Sequence, residues 1–467
     1  MRIAIVGSGI AGLVCAWRLA AEHEVTLYEA AGYLGGHTHT HDVEQDGVRH
    51  AVDSGFIVHN PVHYPRFTAL MEELRVATRP TSMSFSVHKQ AGGLEYNATS
   101  LNTLFCQRRN LMSPRFLGMV RDLLRFYREA PALLQGGGQG AGQGAGQGAG
   151  QGRGQGTAHG AGRGAPRDVG LGADPGPTLG EYLELGRYGS AFRDDHLVPM
   201  ASALWSSPAA RILEFPARYL VQFMANHQML QVADRPEWRV VDGGSNSYVK
   251  AMAARWGARV QVRLHCPVSA VRRAADHVHV VAADGPQRYD HVIFACHSDQ
   301  ALRLLKDPVD AEREILGAIA YQENDVVLHT DARLLPRQPK AWAAWNAYVP
   351  ADPAAPCTVS YCMNLLQGLR SREPFVVTLN RSEAIDDSRV LARMRYHHPV
   401  YTHAAVAAQA RRQEISGHRR TWYAGAYWGW GFHEDGVASA MDVVAGLRSA
   451  MAAQGGTDTL PRILEAA

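Results

Sequence analysis

Lysine is scarce in this chain: Lys89, Lys250, Lys306 and Lys340 are the only four among 47 basic residues, which leaves arginine as the default cation. Charge of one sign is lacking too. The 47 basic residues face 44 acidic ones for a formal net charge of +3, a balance that argues against a nucleic-acid binder or a polybasic membrane anchor. The six cysteines, Cys15, Cys106, Cys266, Cys296, Cys357 and Cys362, form no C-x-x-C pair, so a reduced, cytoplasmic protein is expected rather than a disulfide framework. No apolar run approaches the roughly 20 residues that a membrane-spanning helix needs. The N-terminal strand lacks the long apolar region and small-residue cleavage site of a signal peptide. The expectation is a soluble protein, at most peripheral to a membrane.

What is present is ample material for a core: 467 residues, 46% of them hydrophobic, exceed what one core usually supports and predict two interleaved domains. Residues 2–6 read as a buried strand, Gly7 to Gly12 as a tight turn, Leu13 to Ala21 as a helix, and Glu24 to Glu29 as a second strand. An alternating hairpin follows, turning at Asp46-Gly47 and ending at Asp53-Ser54-Gly55. From about Tyr64 to Asp234 the pattern reads as mostly helical, with an amphipathic helix over Phe116 to Leu134 whose polar face carries Arg121, Arg125 and Arg128. Residues 135–177 form a Gly/Gln-rich tract with too few apolar side chains to offset the entropy of ordering, expected to be a disordered surface insertion without a catalytic role. Strand signals return at Val260–Leu264, His277–Ala282 and His291–Cys296, and the segment Trp422–Leu447 reads as a strand, an aromatic glycine loop and a closing helix starting near Val437.

The first motif that carries chemistry is Gly7-Ser8-Gly9-Ile10-Ala11-Gly12, a G-x-G-x-x-G turn between strand and helix with an acid, Glu29, 22 residues beyond the first glycine. Gly7 permits the turn, Gly9 lets backbone approach a pyrophosphate, and Gly12 lets helix and strand pack closely. The helix N-terminus faces the negative charge, and Glu29 accepts hydrogen bonds from a ribose diol. This turn alone does not separate FAD from NAD.

The residues after the acid do. Ala30 and then Leu34-Gly35-Gly36-His37-Thr38 resemble the Leu-Gly-Gly signature of the flavin amine oxidase and phytoene desaturase superfamily, in which the paired glycines pass beside the FAD pyrophosphate. Val241-Asp242-Gly243-Gly244-Ser245 resembles the internal glycine pair of that superfamily. Val268 matches the valine whose backbone meets the adenine. Ala424-Gly425 and Gly431-Phe432-His433-Glu434-Asp435-Gly436, leading into Val437, resemble its C-terminal motif around the ribityl chain and flavin ring. Ala426 stands where an acid is frequent, which shifts the expected ribityl contacts to Glu434 or Asp435. The loop Tyr427-Trp428-Gly429-Trp430 has no cysteine, so no covalent flavin link is expected, and no second G-x-G-x-x-G follows a strand, so no NADPH domain is expected.

A closer resemblance rests on Asp53-Ser54-Gly55-Phe56-Ile57-Val58-His59-Asn60, Tyr64-Pro65, Thr81–Val87 and Arg108-Arg109-Asn110-Leu111. These runs resemble a bacterial family of FAD-binding oxidoreductases similar to the FAD-binding N-terminal domain of plant cyclopropane fatty acid synthases. The resemblance implies an α/β fold: a discontinuous, Rossmann-type FAD domain of the glutathione-reductase-like, amine oxidase kind over residues 1–75, 235–300 and 416–467. A mixed α+β substrate domain is expected over 76–234 and 301–415. It implies non-covalent FAD contacted by Gly55 and Phe56 among others, and hydride removal from a C–H bond of a fatty acyl chain, with a fatty-acyl methyltransferase as a separate partner protein. Flavin amine oxidation and a non-catalytic FAD-binding role beside a lipid methyltransferase are the alternatives.

Catalytic residues are less legible. Trp428 and Trp430 read either as walls of a substrate cavity or as plain core aromatics. Asn226 and His227 interrupt an apolar helix beginning near Pro216, and His227 reads either as a base or as a satisfied core histidine. His37, His39 and His41 alternate along an expected strand in a chain of 22 histidines; they are not read as a metal site, because no carboxylate ligand pattern accompanies them.

Overall fold

The computed structural model describes residues 1–134, 176–205, 209–226, 229–231, 236–352 and 355–455. Its nucleotide-binding half begins with β1 (Arg2–Val6), a glycine turn, α1 (Ile10–Leu19) and β2 (Glu24–Tyr28). Much later in the chain come β3 (Val260–Arg263), β4 (His291–Phe294), β5 (Thr421–Tyr423) and α2 (His433–Gly455). The five strands form one parallel sheet in the order β3-β2-β1-β4-β5, with Ile3 opposite both Val25 and His291. Parallel strands are buried on both faces, and Ile3, Ile5, Leu27, Val292 and Phe294 are fully buried. α1 is buried almost all round because α2 packs across it: a Cβ on Gly436 would lie 2.6 Å from Cγ2 of Ile10.

A second, seven-stranded sheet runs Val390–Pro399, Tyr321–His329, Val376–Leu379, Thr358–Cys362, Trp345–Val349, Phe85–Lys89, Leu94–Asn97. It is antiparallel except where Trp345–Val349 lies parallel to Phe85–Lys89. Helices cluster against one end of it, among them Pro114–Glu129 and Ala217–Asn226. The molecule is thus α/β around the cofactor sheet and mixed elsewhere.

Three expectations need correction. The stretch from Tyr64 to Asp234 is not mostly helical at its start: Thr78–Thr81, Phe85–Lys89 and Leu94–Asn97 are strands, stabilised by partners far away in sequence. Between the expected strands His277–Ala282 and His291–Cys296 lies an additional strand, Gly285–Tyr289, before β4. The closing helix begins at His433, four residues before Val437, which puts Glu434 and Asp435 in its first turn, where acidic side chains meet the positive helix end. The Gly/Gln-rich tract lies outside the described residues except for Gly176 and Pro177.

Side-chain networks tie the pieces together. The buried Asp53 carboxylate accepts hydrogen bonds from the Ser245 amide (2.9 Å), the Ser245 hydroxyl (2.8 Å), the Thr40 hydroxyl (2.5 Å) and the Gln367 side-chain amide (2.9 Å). Four separate stretches of chain therefore meet on one carboxylate. Among the described residues no helix is long and apolar enough to cross a membrane.

Candidate active site

A single cavity of about 1070 Å³ runs from the glycine turn into the space between the two sheets. Its floor is the turn itself. Gly7 has φ +104°, and a Cβ there would sit 2.7 Å from the Ala295 carbonyl oxygen. Gly9 caps α1, and a Cβ built on it meets no protein atom within 4 Å, so its outer face is open to the cavity. Ser8, Ile10 and Ala11 complete this floor. Gly12 does not reach the cavity; a Cβ there would lie 2.0 Å from the Gly7 carbonyl oxygen, so this glycine serves the packing of helix on strand.

Glu29 stands at the end of β2. One carboxylate oxygen accepts from the Ser8 amide (2.9 Å) and hydroxyl (2.6 Å), and the other from the Ala31 amide (2.8 Å), which fixes the group on the cavity wall beside Ala30 with lone pairs left for a diol. Gly35 and Gly36, at φ +127° and +59°, bring the next turn against Gly9. His37, Gly55, Phe56, Val268 and Gly425 also line the cavity. Glycine cradle, helix N-terminus, diol acceptor and an aromatic slot are what a flavin dinucleotide requires, and the residues present fit FAD.

Several expected contacts lie elsewhere. Thr38 is buried off the cavity, where its hydroxyl bonds to the Tyr248 hydroxyl and to Nε2 of His433 (3.0 Å). Glu434 points away from the cavity and accepts from the amides of Arg66 (3.1 Å) and Phe67 (2.9 Å), capping the helix Pro65–Leu74. Asp435 accepts from the amides of Trp430 (3.0 Å) and Phe432 (2.9 Å), and burial pushes its carboxyl up to about 7. Both acids hold backbone rather than cofactor. Gly436 packs on Ile10, and Val437 is core. Trp430 is buried among Tyr219, Phe223 and Tyr401, and Trp428 donates its ring N–H to the Tyr423 carbonyl (3.2 Å); neither lines the cavity. Asn226 ends its helix accepting from Gln222 (2.7 Å), also off the cavity. His227 lies outside the described residues.

Within the C-terminal motif and its aromatic loop, the side chains that line the wall are others than the acids expected there. Tyr427, Phe432 and His433 present the aromatic face near Gly55-Phe56, where the His433 ring stacks on Phe56 at 3.5 Å and burial pushes its pKa down to about 3. Over the glycine turns stand His37, His297, His397 and His398, gathered from three distant segments: the His37 ring lies 5.4 Å from His398 and 6.4 Å from His297. Burial lowers His297 and His398 to about 4 and His37 well below its ordinary range. Nε2 of His37 is buried with no protein partner. The expected strand through His37, His39 and His41 starts only at Thr40, so His37 turns to this wall while His39 stacks on Tyr33 and stays beside His41, the rings 4.1 Å apart. Among the described residues no cluster of three or more His, Cys, Asp or Glu side chains is placed to hold a metal ion.

The parallel sheet, its glycine turn and the inserted antiparallel sheet define a dinucleotide-binding flavoenzyme fold. Solved structures similar to it in fold include the CLA-producing fatty acid isomerase from P. acnes (TM-score 0.63, 16% identity, covering 95% of this chain and 98% of that one); the cyclohexylamine oxidase of Brevibacterium oxydans (0.66, 13%, 97% and 99%); and putrescine oxidase bound to putrescine (0.65, 13%, 96% and 99%). No curated protein matches the sequence. The profile of flavin-containing amine oxidoreductases matches residues 10–447, and the chain belongs to that family. It is an FAD-dependent oxidoreductase.

Two cysteines, Cys266 and Cys296, line the cavity, and burial pushes the Cys296 thiol up to about 12. A protonated thiol is no nucleophile. The purified protein is therefore expected to be yellow and to release intact FAD on acid or heat denaturation, read by chromatography of the supernatant. Flavin remaining on the denatured polypeptide would contradict this.

Proposed function

We propose that the enzyme removes a hydride from an activated C–H bond of a fatty acyl chain, one that is unsaturated, methylated or cyclopropanated. The observation that carries this reading is the wall away from the glycine turn, built from Met83, Phe85, Met200, Phe223, Trp345 and Leu366. None of the four lysines lines the cavity, and among the described residues its only carboxylates are Glu29, already committed to the turn, and Glu237, which pairs with Arg239 (2.5 Å). An ammonium group entering there finds no buried counter-charge, whereas a hydrocarbon chain finds a continuous apolar surface.

Bound FAD supplies the hydride acceptor. The chain's own residues orient the acyl group along the apolar wall and exclude water. His433 stays neutral at the start of α2, so the positive helix end rather than an imidazolium faces the cavity. The fold is neutral on substrate: its similar structures include one named for a fatty acid, one for protoporphyrinogen and several for amines. The resemblance to the plant cyclopropane synthases supports the lipid and a separate methyltransferase as the source of the modified chain.

Anaerobic mixing decides the substrate. Phospholipids or free fatty acids with unsaturated or methyl-branched chains are expected to bleach the visible flavin band, and simple mono- and polyamines are not. Rapid bleaching by an amine with no response to any lipid makes this an amine oxidase instead.

A further inference from the structure

The helix Pro114–Glu129 has two faces that both carry apolar side chains. Phe116, Met119 and Phe126 point inward and are buried. Positions 117, 121, 124 and 128 share the opposite face and read Leu, Arg, Leu, Arg. Leu117 and Leu124 are exposed there. The short turn just before the helix adds Leu111 and Met112, the latter 87% exposed, and Leu101 behind them is 76% exposed. Five large apolar side chains in one segment thus face water, where a monomer's surface seldom gathers so many.

Charge accompanies them. Residues 101–130 hold six arginines against Asp122 and Glu129, a net +4, while the whole chain carries only +3. Arg121 and Arg128 alternate with the exposed leucines; each pairs with the adjacent acid, Asp122 (3.3 Å) or Glu129 (3.1 Å), yet keeps its side chain about three-quarters exposed (77% and 76%). Arg108 and Arg109 are held by neutral oxygens, those of Asn102 and of the Gly92 and Gly93 carbonyls, so their charge is uncompensated. The segment is also joined to the cavity: Ala98 and Thr99, immediately before Leu101, and Tyr127 on the helix line it.

We infer that this ribbon, residues 101–128, is a docking surface for an anionic lipid bilayer, its leucines and Met112 entering the interface while the arginines meet lipid phosphates. Docking in this orientation sets the Ala98-Thr99 side of the cavity against the leaflet. The inference goes beyond the substrate reading and does not depend on it, because vesicle binding is measured without turnover. A protein partner for an arginine-rich face needs a matching acidic surface; on this chain, acidic and basic residues nearly balance, which disfavours a second copy as the occupant.

The test is co-sedimentation of the FAD-loaded full chain with vesicles of phosphatidylglycerol and phosphatidylcholine, beside vesicles of phosphatidylcholine alone. Binding to the anionic vesicles only is expected, weakening as salt is raised from roughly 0.1 M to 1 M. The double variant Leu111→Asp, Met112→Asp is expected to lose roughly tenfold or more in partitioning. Arg108→Glu with Arg109→Glu is expected to lose at least roughly fivefold per arginine. All four side chains are exposed, so flavin content and thermal midpoint should stay at the unmodified level, and Val309→Asp, exposed on another face, should bind like the parent. Failure to bind anionic vesicles, equal binding to neutral ones, or binding that survives both double changes overturns the inference. So does a mass that rises with protein concentration and falls back in the Leu111/Met112 variant without vesicle binding, which would make the ribbon an interface between copies.

Discussion

Gly9→Val is expected to give a folded protein almost free of flavin. The backbone at Gly9 (φ −64°, ψ 177°) suits a β-branched residue, and a Cβ there touches no protein atom within 4 Å, so the apoprotein has no reason to rearrange. The same Cβ occupies the space through which a pyrophosphate must approach the α1 N-terminus. Losing that approach is expected to lower FAD affinity by roughly a hundredfold or more. Gly12→Val separates the two effects: its side chain would begin 2.0 Å from the Gly7 carbonyl oxygen, so this variant should lose the fold itself. Flavin absorbance per polypeptide and thermal unfolding read both outcomes. A Gly9→Val protein that keeps its flavin would remove the glycine turn from the cofactor path.

Acid should destabilise the protein well before most carboxylates titrate. His59, His291, His329 and His433 are at most 9% exposed, and burial lowers them to about 4, or about 3 for His433. His329 shows why: its Nδ1 accepts the Asp331 amide (3.0 Å) while Nε2 faces the Thr378 hydroxyl (2.8 Å), so a second proton must break a buried bond. In the unfolded chain these rings take up protons near 6.5, in the fold only near 4. Their contribution is therefore complete above 6.5 and drains away as pH falls toward 4, at up to about 1.4 kcal/mol per ring for each pH unit. Asp53 and Asp435, raised to about 6 and about 7, act with the opposite sign, their contribution growing as pH falls. Glu434, raised by burial too, joins these carboxyls, but His37, His297 and His398 join the lowered rings, which outnumber the carboxyls, so the sum falls. The thermal midpoint should be clearly lower at pH 5.5 than at pH 7.5 at constant ionic strength, and a midpoint that is flat or rises would show that the carboxyls dominate.

Where the chemistry is local, the sequence was enough. The strand, glycine turn, helix, strand and acid at the N-terminus lie within 29 residues; Ser8 meets Glu29 across 21 positions, and the two strands pair across 22. The wall over that turn could not be read this way. His37, His297 and His398 meet only because strands from opposite ends of the chain converge, and no spacing between them marks the encounter. Phe85–Lys89 was read as helical for the same reason, since its parallel partner Trp345–Val349 lies 260 residues on. Glu434 and Asp435 were misassigned through a shift of a single helical turn: starting α2 at His433 turns both side chains from the cofactor toward backbone amides. Tyr427, in the same loop as the two tryptophans and just after Ala424-Gly425, carries the same lesson. In a tight turn adjacent side chains leave in different directions, and it is Tyr427 that reaches the cavity.

The cofactor sheet also imposes an order on the life of the molecule. Its central strand β1 is made first, but its neighbour β4, the strand β5 beyond that, and the helix that braces α1 come from residues 291–294, 421–423 and 433–455. While the ribosome is still working through the intervening chain, the glycine turn exists without its far wall, and the apolar faces of β1 and α1 have nothing to cover them. Flavin capture therefore belongs to the end of synthesis. Until then the nascent chain must be shielded by other means.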